Sequence, residues 1–393
     1  MITREALRVL ENSLTFTKQI SRQYDSRFGR EGAKIGTVLN VRKPPKYVGR
    51  TGAPISIEDS VETSVPVTLN KQFGVDIQFS SVELGLSIDD FSDRFIKPAA
   101  ARVANEIDYD GLGLYQFVPN VVGTAGTPIT DLGGYLDAGV AMDDNMAPRD
   151  SSRAVVIGPK AQAALVNGLK GLFQSSEKIA DQYESGTMGL AGGFKFSMDQ
   201  NVRTHTVGPL GGSPVTAGAG QTGSSLNVSG FTASAAARLK KGDTFTLVGV
   251  NAANPMNGQD LGYLRRFTVT ADVSSAADGT AVVPIYPPII ATGGGRNVTA
   301  APGAGAALTI LGTANSTATT GLAFCKDSFT LACADLPLPG GVDMASRVSD
   351  NQLGISLRMV RQYNISTDQF PCRLDILYGW AALYGETACR ILS

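Results

Sequence analysis

The stretch that decides the fold is residues 88–117, IDDFSDRFIKPAAARVANEIDYDGLGLYQF. Hydrophobic residues in it recur at helical spacing and can share one face: Phe91, Phe95, Val103 and Ile107. Three acidic residues stand near its start, where the helix dipole favours negative charge: Asp89, Asp90 and Asp93. Proline inside a helix removes a backbone donor, so Pro98 should kink the helix or mark a join between two helices. The stretch predicts the longest helix of the chain.

On the N-terminal side of this helix, the patterns predict an arm followed by strands. Leucines at helical spacing within residues 2–20 predict an amphipathic helix. Residues 25–60 are rich in Arg, Lys, Gly and Pro and predict an extended arm. Alternating apolar residues between Val61 and Leu84 predict two strands with a turn near residues 70–74.

On the C-terminal side, residues 129–207 predict an α+β segment. Its expected elements are a helix in DLGGYLDAGVAMDD (131–144), a buried strand in SRAVVIG (152–158), a helix in PKAQAALVNGLKGLF (159–173) and a strand within residues 193–208. In that last strand, Phe194, Phe196 and Met198 alternate. The body therefore belongs to the α+β class.

The composition changes at about residue 208, where Gly, Ala and Ser dominate. Residues 208–230 predict a linker or long loop. Four apolar runs follow, separated by turn residues, so residues 209–322 predict a compact all-β insertion, either a barrel or a sandwich. Residues 323–393 return to mixed structure, with a strand in GISLRMVRQYNI (354–365) and an apolar strand in CRLDILYGWAALYGETACRIL (372–392) that joins the core sheet.

Charge is distributed unevenly along a chain whose net charge is −1. Residues 1–50 hold eleven Lys and Arg against four Asp and Glu, whereas residues 51–150 hold five against sixteen. The basic side chains of the arm can contact DNA phosphate or the acidic surface of a neighbouring copy, and the near-neutral net charge favours the neighbouring copy. The resulting candidates for contact between subunits are Arg22, Arg27, Arg30, Arg42, Lys43, Lys46, Asp89, Asp90 and Asp93.

Residues for catalysis or metal binding are scarce. His205 is the single histidine, and the sequence has no H-E-x-x-H motif, no Cys/His cluster and no G-x-S-x-G motif. Residues 218–223 match the G-x-G-x-x-G spacing, but neither a strand nor a helix is predicted beside them, so we expect a flexible loop. The acidic pairs at 108/110 and 143/144 predict exposed polar faces. We expect no enzyme activity, no cofactor and no metal site.

The four cysteines lie in the last 70 residues without a C-x-x-C pair, and we expect them to be reduced and packed. The first residues show no secretory signal, and no apolar stretch is long enough to cross a bilayer, so we expect no membrane partner.

Four segments in collinear order resemble one known family. They are DDFSDRFIKPAAARVANEID (89–108), DDNMAPRDSSRAVVIGPKAQAALV (143–166), AARLKKGDTFTLVGV (236–250) and CRLDILYGWAALYGETACRI (372–391). In turn they resemble the entry to a spine helix, a helix–turn–strand–helix, an insertion-domain strand opened by a basic-Gly-Asp turn, and a C-terminal strand region. The order resembles that of the P-twenty-two-type phage coat proteins, which have the Hong Kong ninety-seven-type capsid fold with an inserted β-domain.

The resemblance implies a major capsid protein that assembles as pentamers and hexamers into an icosahedral procapsid and then a mature shell. Its implied partners are other copies of the chain, a scaffolding protein, a portal protein and packaged double-stranded DNA bound non-specifically on the inner face. Its implied locations are the virion capsid and, during assembly, the host cytoplasm.

The implied domains are a helical arm (1–40), an extended loop with a β-hairpin (41–86), a spine helix with a peripheral α+β domain (87–207), the β-rich insertion (208–322) and an axial domain with the C-terminal core strand (323–393).

Three other functions are compatible with parts of the sequence. A phage tail or decoration protein shares β-rich insertions but usually lacks a helix as long as residues 88–117. The Gly/Thr/Asn-rich residues 208–320 suit a β-rich binding module or adhesin, although no export signal is present. A hydrolase would need two carboxylates that converge across domains.

Overall fold

The computed structural model describes residues 2–25, 38–47, 62–80, 92–169, 189–350 and 354–393, together with the single positions 49, 52, 55, 57 and 82. Within these ranges the α-helices are α1 (Ile2–Ser13), α2 (Lys97–Leu112), α3 (Leu132–Asp144) and α4 (Pro159–Leu169). Short 3-10 turns span Thr17–Gln19, Gly113–Phe117 and Gly385–Thr387, and a π-helical turn spans Ser92–Ile96.

The strands of the same ranges are β1 (Ser21–Asp25), β2 (Val38–Lys43), β3 (Thr63–Thr68), β4 (Lys71–Ser80), β5 (Asn120–Val122), β6 (Ala154–Ile157), β7 (Leu190–Ala191), β8 (Phe194–Met198), β9 (Arg203–Thr206), β10 (Val215–Thr216), β11 (Gly223–Ser229), β12 (Ala236–Leu239), β13 (Thr244–Ala253), β14 (Asp260–Val269), β15 (Val273–Ser275), β16 (Ala281–Ile289), β17 (Leu308–Ile310), β18 (Thr317–Phe324), β19 (Phe329–Ala334), β20 (Met344–Asp350), β21 (Ile355–Arg361), β22 (Gln369–Ala382) and β23 (Cys389–Leu392).

The chain forms two compact units. The first comprises Met1–Val41, Ser64–Leu112 and Phe329–Leu383, and the second comprises Arg42–Thr63, Gly113–Ser328 and Tyr384–Ser393. The mixture of helix and strand confirms the α+β class.

In the first unit, helices α1 and α2 pack against each other beside a mixed sheet. The strand order is β1-β19-β22-β21-β20, and β4 pairs along ten residues of β22, from Lys71 opposite Tyr378 to Ser80 opposite Gln369. The predicted long helix is confirmed from Ser92 onward, and residues 88–91 lie outside the described ranges. Its π-helical turn gives way to α-helix at Lys97, one residue before Pro98, so the predicted join is confirmed.

Both strands predicted between residues 61 and 84 are present, but the predicted turn is wrong. The connection is Leu69–Asn70, and residues 71–74 already belong to β4. The two strands do not pair with each other, because β3 pairs with β2 while β4 pairs with β22. The physical reason is length: all ten residues of β4 find partners along β22, with Val75 and Ile77 opposite Leu374 and Cys372, whereas β3 has only six residues.

The α+β part of the second unit contains a sheet in the order β5-β23-β18-β6-β8-β7, with β9 also pairing with β18. Helix α3, strand β6 and the first eleven residues of the next predicted helix are confirmed, whereas residues 170–173 lie outside the described ranges. The single strand predicted within 193–208 is in fact two, β8 and β9. Of the three alternating residues, Phe194 and Phe196 are buried, whereas Met198 at the end of β8 is half exposed.

The insertion is a β-barrel. Its strands follow the order β10-β11-β16-β14-β13-β17, and a bridge between Val215 and Ala307 brings the two ends of this sheet together. The four strands predicted between residues 243 and 312 are confirmed. The barrel core consists of buried side chains from these strands, among them Leu226, Val228, Phe245, Phe267, Val269, Val283 and Ile285.

The linker predicted at residues 208–230 is wrong, because β10 and β11 lie within it. Leu226 and Val228 point into the barrel core and are fully buried, while small polar residues alternate with them. The G-x-G-x-x-G match at 218–223 is a loop, as predicted, apart from Gly223, the first residue of β11. At the C-terminal end of the predicted insertion, β18 pairs with β9 of the α+β sheet from Thr317 onward.

The apolar run at 372–392 was predicted as one strand and forms two. β22 belongs to the sheet of the first unit, and β23 belongs to the sheet of the second. The 3-10 turn Gly385–Thr387 separates them. Gly385 is needed there because an added Cβ would lie 2.3 Å from the carbonyl oxygen of Phe117.

Candidate functional site

The predicted contact residues of the arm are only partly described. Arg22 lies half-buried in β1, and Arg27, Arg30, Asp89 and Asp90 lie outside the described residues, as does the Asp93 side chain. Arg42 pairs with Glu62 of its own chain at 3.5 Å, with both side chains more than half exposed. Contact of these residues with a neighbouring subunit stays a prediction.

Lys43 and Lys46 lie at the start of the predicted extended loop. Residues 44–62 of that loop are called the extended segment below. The Lys43 ammonium stands 4.6 Å from the centre of the Tyr384 ring, and burial lowers its pKa. Lys46 is exposed, and its backbone runs against Gly294 of the barrel. Two of the predicted contact residues therefore help to place the extended segment on its own chain.

The carboxylates at 108 and 110 were predicted to form an exposed face, and this is wrong. Asp108 is 2% exposed and accepts four hydrogen bonds, from the backbone N–H groups of Thr15, Phe16 and Thr17 and from the Thr17 hydroxyl. Burial raises the pKa of Asp108, while these hydrogen bonds lower it in part. The carboxylate therefore holds the segment after α1 on the middle of α2.

Asp110 is also a structural group. It accepts a hydrogen bond of 2.6 Å from the Tyr378 hydroxyl and pairs with Lys71 at 2.5 Å. Lys71 bridges to Glu106 at 2.8 Å, so one lysine of β4 joins two carboxylates of α2. Burial raises the pKa of Glu106, but hydrogen bonds and charges from Lys71 and Arg102 outweigh it and hold that pKa below its ordinary 4.5.

The pair at 143 and 144 is likewise not a free polar face. Asp143 accepts hydrogen bonds from Arg149 and, at 2.5 Å, from Arg153, which is 6% exposed. Hydrogen bonds and charges from Arg149 and Arg153 lower the pKa of Asp143 more than burial raises it, so this pKa lies below its usual range. These contacts tie the end of α3 to the start of β6.

His205 takes part in a buried network that fastens the barrel to the α+β body within the second unit. Its Nε2 lies 2.9 Å from Asp243 Oδ1, and its Nδ1 lies 3.2 Å from the Tyr115 hydroxyl. Asp243 also accepts hydrogen bonds from the backbone of Gly208 and Lys240. Both imidazole nitrogens are occupied and the carboxylate is 1% exposed, so this Asp–His pair offers no base to a substrate.

Arg390 of β23 completes the network from the other side. It donates to the carbonyl of Gly242 and to the Thr268 hydroxyl, and it stands over the Tyr115 ring. Burial lowers its pKa to about 10, so it stays charged at neutral pH. The basic-Gly-Asp turn seen in the sequence is thus the barrel's point of attachment. Its short motif was visible in the sequence, but its partners in β9 and β23 were not.

All four cysteines are free and buried, as predicted, and burial raises the pKa of Cys333 and Cys389 to about 12. In the part of the chain that the structure describes, no three His, Cys, Asp or Glu side chains converge as a metal site would require. Among the described helices, none is long and apolar enough to cross a membrane.

An α+β frame that carries an inserted β-barrel is the architecture that the resemblance to the P-twenty-two-type coat proteins implied. The chain belongs to the P22 coat protein family, whose model, described as P22 coat protein - gene protein 5, matches residues 56–389. Its function is therefore structural, as a major capsid protein of a tailed phage.

Several solved structures are similar in fold. A protein of Mycobacterium phage Che8 shares 10% identity at a TM-score of 0.45, over 96% of this chain and 90% of that one. The capsid of the cyanophage P-SCSP1u shares 8% identity at 0.45, over 96% and 88%. The CUS-3 coat protein I-domain shares 23% identity at 0.20, over 27% of this chain and 100% of that one. No curated protein matches the sequence.

Proposed function

We propose that the chain assembles as pentamers and hexamers into a scaffold-filled procapsid and then into a mature shell around double-stranded DNA. Membership of the coat protein family over residues 56–389 is the observation that carries the proposal. The partners are other copies of the chain, a scaffolding protein, a portal protein and packaged DNA, and assembly takes place in the host cytoplasm. The chain needs no enzymatic activity and no cofactor for this role.

The domains divide the work as the family order implies. Neighbouring subunits are reached by the arm (1–40) and the extended loop (41–86). The frame consists of the spine helix with the α+β segment (87–207) and the C-terminal part (323–393). The insertion (208–322) supports folding and contacts across capsomers. Exposure favours the role of the extended loop, because Ile55 and Ile57 leave 83% and 89% of their surface uncovered. Exposed isoleucines this close together suit burial in an interface.

The contacts between subunits are partly electrostatic in this proposal. Arg22, Arg27, Arg30, Arg42, Lys43 and Lys46 of one copy face Asp89, Asp90 and Asp93 of the next. The charge imbalance between residues 1–50 and 51–150 supports this pairing. Exposed ion pairs are individually weak and are screened by salt, which lets wrongly placed subunits dissociate while a shell grows.

Electron microscopy of negatively stained particles tests the proposal, with the chain expressed with and without the scaffolding gene of its phage. We expect closed, uniform shells with the scaffolding protein, and aberrant shells or spirals without it. Monomers alone, or long tubes, under both conditions would contradict a shell-forming role.

The charge pairing has its own test. Changing Arg27, Arg30 and Arg42 to Glu should block assembly and leave the unfolding temperature of the subunit unchanged. The control changes three exposed lysines elsewhere to Glu, namely Lys160, Lys195 and Lys326, which shifts the net charge equally. Normal shells from the arginine variant would refute the pairing, and so would equal loss of assembly in both variants.

A further inference from the structure

The extended segment crosses a loop of its own barrel at very short range. This loop, residues 290–299, is the first part of the connection from β16 to β17 and is called the glycine loop below. A Cβ added to Gly294 would lie 2.4 Å from the carbonyl oxygen of Lys46, and one added to Gly295 would lie 3.2 Å from the Lys46 side chain. Carbon and oxygen atoms do not approach to 2.4 Å, so Gly294 permits a contact that any other residue would break.

The glycine loop cannot easily move away from that contact, because its own hydrogen bonds brace it. The Asn297 side chain accepts from the Ile290 backbone N–H at 3.0 Å and donates to the Pro288 carbonyl at 2.7 Å. Arg296 donates to the Val298 carbonyl at 2.9 Å, and the Val298 side chain is fully buried in the barrel. The loop therefore presents a fixed surface to the extended segment.

A second contact holds the segment three residues earlier. The Lys43 ammonium lies 4.6 Å from the centre of the Tyr384 ring, where the electron-rich face of the ring attracts the positive charge. Tyr384 is itself held, since its backbone N–H donates to the Ser328 carbonyl at 3.1 Å. The start of the segment is thus fixed at Lys43 and Lys46, while Ile55 and Ile57 farther along are exposed.

We propose that the glycine loop positions residues 44–62 for contact with the neighbouring copy of the chain, so that the barrel directs shell assembly through this loop. The inference rests on the proposed function, in which that segment reaches a neighbouring subunit. A chain segment that becomes ordered on binding loses conformational entropy. Fixing its first residues beforehand removes part of that loss and favours association.

Gly294→Ala tests the proposal. Gly294 has no left-handed φ, so alanine suits its backbone, and only the collision with Lys46 is introduced. Gly303→Ala is the matched control, because Gly303 lies in the same barrel, has no left-handed φ, and has no atom within 4 Å of an added Cβ. Trypsin cleavage after Lys46 and Arg50 measures how firmly the segment is held in the unassembled subunit. Sedimentation of the chain expressed with its scaffolding gene measures shell formation.

We expect Gly294→Ala to keep the wild-type unfolding temperature, to be cleaved about tenfold faster because the open form is more populated, and to give few closed shells. Gly303→Ala should match the wild type in all three. Unchanged cleavage of Gly294→Ala would refute the contact, and faster cleavage with normal shells would refute its role in assembly. If Gly294→Ala lowers the unfolding temperature, Tyr384→Leu replaces it, because that change removes the ring beneath Lys43 and keeps the lysine charge, and the same two outcomes apply.

Ile55→Ser with Ile57→Ser separates this inference from the proposed function. That double variant leaves the glycine loop contact intact, so its trypsin cleavage should equal that of the wild type. Loss of shells in the double variant supports the neighbour contact. Normal shells from it would refute the proposed contact itself, whereas normal shells from Gly294→Ala alone would refute only the positioning by the barrel.

Discussion

Removal of the Asp108 carboxylate should detach the segment that follows α1 and strongly destabilise the first unit. The carboxylate oxygens lie 2.6, 3.2 and 3.0 Å from the backbone nitrogens of Thr15, Phe16 and Thr17, and 2.5 Å from the Thr17 hydroxyl. In Asp108→Ala all four donors lose their acceptor; those of Phe16 and Thr17 stay buried, whereas the N–H of Thr15 is only half-buried. A buried donor without a partner costs about 1–3 kcal/mol, and some of these donors can regain water, so we expect a loss of about 3–5 kcal/mol.

Two further variants calibrate that magnitude. Thr17→Val removes one donor and leaves the carboxylate its three backbone partners, so it should cost about 1 kcal/mol. Asp108→Asn keeps the shape but places an NH₂ group against backbone N–H groups that cannot accept a hydrogen bond. Its cost should fall between the other two, at about 2–3 kcal/mol.

Trp380, the one tryptophan in the sequence, provides the assay. Its ring lies 5.7 Å from that of Phe16, next to the segment that Asp108 holds, so its fluorescence reports unfolding of the first unit. Urea titrations of the unassembled subunit give the free energy from the midpoint and slope. If Asp108→Ala lay within about 1 kcal/mol of the wild type, the four hydrogen bonds would not hold the segment, and the reasoning would be refuted.

Three other substitutions follow from the same unit and from α3. Glu106→Gln should lower stability at pH 7 by about 1 kcal/mol, since Lys71 is partly exposed. Because the folded pKa of Glu106 lies below its ordinary 4.5, its stabilisation is present above that pH and is lost as the pH falls through the folded pKa. A wild-type acid-unfolding profile for Glu106→Gln would contradict this. Gly111→Ala should cost about 1–3 kcal/mol, because an added Cβ would lie 2.7 Å from Trp380 and 2.8 Å from Phe16; equal urea midpoints would count against it. Met146→Gly should stabilise the subunit by about 0.5–1 kcal/mol, because Met146 has a φ of 62° at the end of α3, and a lower unfolding temperature would argue the opposite.

In a capsid protein, contacts between subunits form on surfaces that are exposed in the free subunit. The buried networks at Asp108 and at His205 instead stabilise the fold, the first within the first unit and the second within the second unit. A variant that breaks one of these networks should therefore fail at folding, whereas a variant of Gly294 or of the exposed isoleucines should fail at assembly. Measuring subunit stability and shell yield together distinguishes the two groups.

Local patterns in the sequence determined which segments are helices and which are strands. The join at Pro98 follows from the missing backbone donor of proline, and the barrel strands between residues 243 and 312 follow from apolar runs between turn residues. The order of these elements, with four short motifs in line, was enough to indicate the coat protein family. Each of these features depends on residues close together in the chain.

Partners distant in sequence were decided only by the tertiary structure. The sequence predicted β3 and β4 as neighbours joined by a turn, but β4 pairs with β22 along all ten of its residues, and β3 pairs with β2. The Gly-rich stretch at 208–230 looked like a linker. Leu226 and Val228 contribute to stability only when the other strands of the barrel bury them, and these strands are distant in the sequence. Asp108 looked like a surface carboxylate, because its four donors lie more than ninety residues earlier in the chain. Spacing along a chain reports which face of an element a side chain occupies, but what covers that face depends on how the whole chain packs.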